Sequence, residues 1–191
     1  REITGAEVDK EVKRYEKAVD AAIAQIEELS GRTSQSLGEE FAAIFGTHVM
    51  ILKDKLLHDE VKNLIREDLV TPEYAVTTVL NKYVKQFQDI PDEFFSQRAT
   101  DFQDIENRLV NRLTGEKMTG MYDTSEEFIV VAHEMTPSET ATLDRDHVSG
   151  FATNVGGRTA HTAIMARAMG IPAVVGLENI TDGVQNGDRV I

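Results

Sequence analysis

From Val8 to Leu113 the apolar residues of this chain recur at helical spacing almost without a break, and near residues 115–122 that pattern stops. A chain patterned this way has to fold as a helical assembly followed by something built differently. Val8, Val12, Tyr15, Val19, Ala22, Ile26 and Leu29 alternate steps of four and three, one stripe of a long helix that Gly31 is expected to stop. A second helix carries Leu37, Phe41, Ile44, Phe45 and His48 and is expected to break or bend before Asp54. Leu57, Val61, Leu64 and Ile65 continue on a further helix. Thr71-Pro72-Glu73 opens the next with a capping hydroxyl and a first-turn proline, and its stripe is Val76, Val79, Tyr83 and Phe87. The last stripe runs Phe95, Phe102, Ile105, Leu109 and Leu113 before Gly115. Long helices joined by short turns predict an antiparallel bundle.

Beyond Gly120 the elements shorten, and seven of the 13 glycines lie in this last third. Phe128–Ala132, Val148–Thr153 and Pro172–Val175 read as strands, Thr136-Pro137-Ser138-Glu139 as a capping box with proline at the first helical position, and Thr162–Met169 as a helix closed by Gly170. Asp182-Gly183 and Asn186-Gly187 are turn signals ahead of a last strand candidate, Arg189-Val190-Ile191. Alternating strand and helix predicts an α/β unit. The expected organisation is therefore α and β in two subdomains, residues 1–117 helical and residues 118–191 α/β. The chain starts at Arg1 without methionine and stops within a strand candidate, so it is read as a piece of something longer, its α/β unit cut at both chain ends.

Composition narrows the function. With 41% hydrophobic and 28% charged residues the sequence is that of a globular protein, and no apolar run approaches the roughly 20 residues of a membrane span. A net charge of −13 leaves no cationic field for nucleic acid and favours a basic protein partner. The absence of cysteine removes disulfides, zinc–thiolate sites and thiol nucleophiles, and the expected compartment is the cytoplasm.

One stretch concentrates chemistry. Gly156-Gly157-Arg158-Thr159-Ala160-His161 follows a strand and opens a helix, so unpaired amides and the positive end of the helix dipole face whatever sits there, an arrangement that suits phosphate. Arg158 and Arg167 could add formal charge, and an imidazole in that first turn should hold its proton weakly and stay nucleophilic. Two readings stay open on the residues alone: a phosphate cradle carrying a phosphorylatable histidine, or an ordinary solvated helix start. No two of the five histidines stand three or four residues apart, so no helical His-pair metal site is indicated.

The run from Thr153 to Gly176, with Gly156-Gly157-Arg158-Thr159, His161, Ile164, Ala166-Arg167, Pro172 and Gly176, closely resembles the active-site signature of the PEP-utilising enzymes. Leu37-Gly38-Glu39-Glu40 to Ile44-Phe45 with His48, Met50, Leu52 and Asp54, then Phe95–Leu109 with Arg98, Asp101 and Asp104, and Thr136–Thr140, resemble the enzyme I branch, the phosphoenolpyruvate–protein phosphotransferases. That resemblance implies a helical bundle inserted in a swivelling phosphohistidine domain. It implies that His161 is phosphorylated at Nε2, that the Thr140 hydroxyl hydrogen-bonds its imidazole, and that Arg158 with the backbone of Gly156, Gly157 and Thr159 forms the phosphate site. Phosphoryl groups would pass from phosphoenolpyruvate to a histidine of the carrier protein HPr, docked on Glu39, Glu40, Ile44, His48, Met50, Ile51 and Leu57. Residues 1–191 would hold no cofactor of their own and act as a monomer. Phosphoenolpyruvate and Mg²⁺ would be bound by a C-terminal barrel, also the dimerisation domain, outside this chain. The same resemblance leaves room for a carrier-binding module without catalytic competence and for a nitrogen-regulatory enzyme I. Ala160, Gly46 and Lys55 depart from the family pattern, and Lys55 interrupts an otherwise acidic docking face.

Overall fold

The computed structural model describes residues 2–91, 93–116, 126–143, 146–157 and 160–189. Five helices come first: α1 (Val8–Leu37), α2 (Glu39–Leu52), α3 (Lys55–Glu67), α4 (Pro72–Gln88) and α5 (Glu93–Thr114). They surround a core of Val12, Tyr15, Val19, Ala22, Ile26, Phe45, Leu52, Leu57, Val61, Ile65, Val76, Leu80, Ile105 and Leu109, all nearly or fully removed from solvent. Each of the larger side chains contributes about 1.5–3 kcal/mol by leaving water, which is why the apolar stripes rather than intrinsic propensity hold these helices. The rings of Tyr83, Phe87, Phe95 and Phe102 form a stack between α4 and α5, with centroids 5.3 Å apart for Tyr83–Phe102 and for Phe87–Phe102.

Three local expectations change. Gly31 does not stop α1, which runs on to Leu37 and ends at Gly38, where φ is +96° and the amide returns to the Ser34 carbonyl. A mid-helix glycine costs about 1 kcal/mol, and here that is outweighed by packing on either side of it: the Ser30 hydroxyl donates to the Ala42 carbonyl of α2 and Thr33 is buried. The Thr71 hydroxyl makes no capping bond; Pro72 alone marks the start of α4. At the α2–α3 corner the helix does break, and Asp54 caps α3 by accepting from the Leu57 amide at 3.0 Å. His58 braces the same corner, with Nδ1 taking the buried Tyr15 hydroxyl at 2.9 Å and Nε2 donating to the Leu52 carbonyl at 2.7 Å.

The second unit is a parallel three-stranded sheet ordered β1 (Phe128–Ala132), β2 (Val148–Thr153), β3 (Ala173–Val174). Its crossovers contain α6 (Pro137–Ala141) and α7 (His161–Met169). The capping box at Thr136 and Glu139 is formed, and Gly170 closes α7 in the left-handed region at φ +73°. β3 is shorter than Pro172–Val175. A short α8 (Ile180–Gly183) replaces the turn expected at Asp182-Gly183, and no strand includes Arg189. Val190, Ile191 and the expected 117/118 boundary lie outside the described residues. Among those described, no helix is long and apolar enough to cross a membrane.

Candidate functional site

The site lies where α7 meets α5. β2 hands the chain to a loop whose amides at Asn154 and Val155 donate to the Ala132 and His133 carbonyls, extending the pairing past the strand end. Gly156 then turns the backbone at φ +118°. A Cβ there would stand 3.2 Å from the Ala160 Cβ, so the conformation favours glycine and a side chain would crowd the start of α7. Ala160 caps α7 in extended geometry, and His161 is its first helical residue. The tight turn and the helix start expected at Gly156-Gly157 are therefore present, with Gly157 half-buried and its carbonyl accepting from the Ala160 amide at 3.1 Å. Arg158 and Thr159 lie outside the described residues. Arg167 lies exposed in the last turn of α7, about 9 Å along the axis from His161 at 1.5 Å per residue.

His161 is 9% exposed and faces α5. Its Nε2 is 3.8 Å from Asp101 Oδ1. The same oxygen accepts from His48 Nε2 at 3.0 Å, and Asp101 Oδ2 accepts from Arg98 at 3.2 Å. One turn along α5, Asp104 Oδ2 stands 3.6 Å from His48 Nδ1 and accepts the Ser138 amide of α6 at 3.0 Å. A further turn on, buried Arg108 donates to the Ser138 hydroxyl. Residues 98, 101, 104 and 108 thus present one polar face of α5 to the α/β unit, while 99, 102, 105 and 109 present the apolar stripe to the bundle.

Burial pushes the His161 imidazole below the ordinary value of about 6.5. His48 and Arg98 work in the same direction, and Asp101 and Asp104 oppose without reversing it. A helix-end effect was the expected cause; desolvation is the leading one. The folded chain therefore releases the His161 proton more readily than the unfolded chain, so stability held above about pH 6.5 is lost as pH falls through that value toward the folded one. The matching expectation is an NMR titration of the His161 ring with its inflection below pH 6.5. An inflection at or above 6.5 contradicts this environment.

The expected partner of the imidazole is corrected: the Thr140 hydroxyl donates to the Thr136 and Pro137 carbonyls, at 2.9 and 3.0 Å, and turns its hydrogen bond into α6 instead of toward His161. Of the expected docking residues, His48 and Leu57 belong to the interior, at 0% and 3% exposure, because each continues an apolar stripe (Phe45–His48–Leu52 and Leu57–Val61–Ile65). Met50 is 68% exposed, Glu39 is exposed, and Ile44 and Ile51 are partly covered; the Glu40 side chain is outside the described residues. Leu56, 70% exposed at the α2–α3 corner, is an apolar surface residue that the stripes did not single out. Arg98, Asp101, Asp104 and, on α6, Ser138 were visible only as parts of motifs, and the three-residue spacing of the first three on α5 was the signal that could have placed them together.

Comparison with known proteins agrees with this architecture. Residues 1–98 match the PEP-utilising enzyme N-terminal domain and residues 124–191 the PEP-utilising enzyme mobile domain. The phosphoenolpyruvate-protein phosphotransferase of Haemophilus influenzae is 41% identical over 191 residues, all of this chain and 33% of that protein. The Mycoplasma capricolum protein of the same name is 40% identical, over 97% of this chain and 32% of its own length. A solution NMR structure of Enzyme I aligns with TM-score 0.72 at 40% identity, covering 97% of this chain and 75% of that one. The N-terminal domain of the nitrogen Enzyme 1 aligns with TM-score 0.61 at 30% identity, covering 89% and 69%. A helical unit joined to a small parallel α/β unit with a histidine at the head of α7 defines the class, and the chain belongs to the PEP-utilising enzymes. Within that family its likeness runs to the phosphoenolpyruvate-protein phosphotransferases, and it spans about a third of the length of those curated relatives.

Proposed function

We propose that this chain carries the phosphoryl-transfer step of a phosphoenolpyruvate–protein phosphotransferase, with His161 as the covalent carrier. The observation that carries the reading is the placement of one largely buried imidazole, held neutral by its surroundings, at the first position of a helix behind a glycine turn. Its Nε2 lone pair attacks the donor phosphorus; the new phosphorus–nitrogen bond forms as the donor's bond to phosphorus breaks, and the bonding pair leaves with the donor. Phosphoenolpyruvate is the first donor, bound with Mg²⁺ by a domain outside this chain, and the histidine of HPr is the acceptor. Among the described residues no group of three or more His, Asp or Glu side chains is placed to hold a metal ion, and no step here is routed through magnesium. Gly156, Gly157, Arg158 and Thr159 would cradle the transferred group, and Thr140 acts by securing α6.

Residues 1–117 are taken as the docking unit and 118–191 as the unit that bears the phosphoryl group. Exposed Met50 and Leu56, with Glu39 nearby in sequence, give the bundle an apolar and acidic face for HPr. Lys53 pairs with Glu27 at 3.5 Å and Lys55 is exposed, so that face is less acidic than −13 overall suggests. We take the working unit as monomeric and cytoplasmic. The sugar branch is favoured over the nitrogen-regulatory one by higher identity and TM-score. The test is transfer from labelled phospho-HPr. An acid-labile label reaching one equivalent per chain, at a bimolecular rate that falls as salt rises and screening shortens toward ~3 Å at 1 M, is expected. HPr binding without any label would leave a docking module and overturn the proposal.

A further inference from the structure

We propose that His48 is a positioning residue for His161, acting through the Asp101 carboxylate across the junction of the two units. This rests on the reading of His161 as phosphoryl carrier, and it moves His48 from the carrier-docking face to the reaction's own support. Three observations meet here. His48 is fully buried, 0% exposed, so a docked protein has nothing of it to touch. Its Nε2 donates to Asp101 Oδ1 at 3.0 Å, and that same oxygen is the group facing His161 Nε2 at 3.8 Å. The 3.8 Å gap is too long for a hydrogen bond, so the nitrogen that must attack phosphorus is approached by a carboxylate yet not capped by it.

His48 accounts for that gap. A buried carboxylate draws in whatever donors it can reach, because an unpaired buried charge costs several kcal/mol. Asp101 is 3% exposed, with Arg98 on Oδ2 and His48 on Oδ1. His48 is itself fixed by the edge of the Phe45 ring, 5.9 Å between centroids, and by Asp104 on its far side. Held between these, Asp101 keeps its distance from His161. Without the His48 donor, Oδ1 would favour the His161 tautomer that carries its ring proton on Nε2, the ring nitrogen it already faces. The proton would then be held on the attacking nitrogen, and the lone pair needed for the new bond to phosphorus would be gone. The helical unit thus does more than dock a partner; it sets the tautomer of the imidazole carried by the other unit.

The experiment compares the unaltered chain with His48→Leu, which removes the donor, and His48→Gln, whose side-chain amide restores one. Long-range ¹H–¹⁵N spectra of the His161 ring, with and without each change, give the fraction of ring protonated at Nε2. That fraction is expected to rise in His48→Leu and return toward the starting value in His48→Gln. Phosphorylation of the same proteins by phosphoramidate, a small phosphoryl donor that needs no docking, is expected to slow about tenfold or more in His48→Leu and to recover in His48→Gln. With phospho-HPr as donor the loss should fall on kcat with KM unchanged. An unchanged His161 ring spectrum in a folded His48→Leu protein overturns the proposal, whatever the labelling result. So does a rise in KM for HPr with no effect on phosphoramidate. A shifted ring spectrum in a chain that takes no label from any donor leaves the positioning role intact and removes the phosphoryl-carrier reading instead.

Discussion

His161→Ala is expected to abolish phosphoryl uptake altogether, from phospho-HPr and from small donors alike, while leaving the fold in place. On the proposed function the effect is complete, because the residue would supply the atom to which phosphorus is bonded and the side chains facing it are already engaged. Asp101 is a carboxylate engaged with Arg98 and His48, and His48 is buried with both ring nitrogens turned toward carboxylates. Alanine is the best helix former and suits the first turn of α7, whose remaining anchors Thr162, Met165, Ala166 and Met169 stay buried. The two readouts are label per chain and the thermal midpoint. Label retained in the variant at the wild-type level would place the chemistry elsewhere.

Asp104→Ala is expected to cost stability on a scale that no surface change in this chain would match, about 3 kcal/mol. Asp104 is 2% exposed and serves partners from two elements: it accepts the Ser138 amide of α6 and stands against the buried imidazole of His48 on α2. Its charge also supports Arg108, whose guanidinium is 2% exposed and is pushed by burial to hold its proton less firmly. Removing the carboxylate leaves a buried amide without its acceptor and takes away a negative charge that favours the buried Arg108 cation. For a chain of this length the loss corresponds to a drop of roughly 10 °C in Tm. Asp104→Asn keeps an acceptor for the amide and should recover part of it. Equal, small losses in both variants would mean that α5 does not tie the units together through this group.

Much of this architecture was legible because packing inside one helix, or between a strand and its crossover, leaves a local trace. The five stripes, the Thr136 capping box, the Gly170 stop and the glycine turn before His161 are of that kind. Gly31 misled because helix propensity is a weak force, and α2 packing carries α1 a further six residues. The docking surface was misjudged in a more instructive way. His48 and Leu57 were placed on it through resemblance, although each continues an apolar stripe whose other members are buried; their own periodicity was the better guide. What no local pattern could announce is the junction. Asp101, Asp104 and Arg108 read as a solvated helix face until a second unit lies against it, and only the tertiary fold shows that His161 is opposed by a carboxylate rather than by the Thr140 hydroxyl.

Phosphoryl transfer through this chain would pass through a phosphorus–nitrogen bond at one atom. After incubation with phospho-HPr, ³¹P and ¹⁵N NMR of the ring-labelled chain reads that bond directly. The expected result is a single phosphohistidine signal, with phosphorus coupled to Nε2 of His161 and absent in His161→Ala. Coupling to a ring nitrogen of His48, His58, His133 or His147, or no phosphorus–nitrogen coupling in a chain that binds HPr, would contradict it.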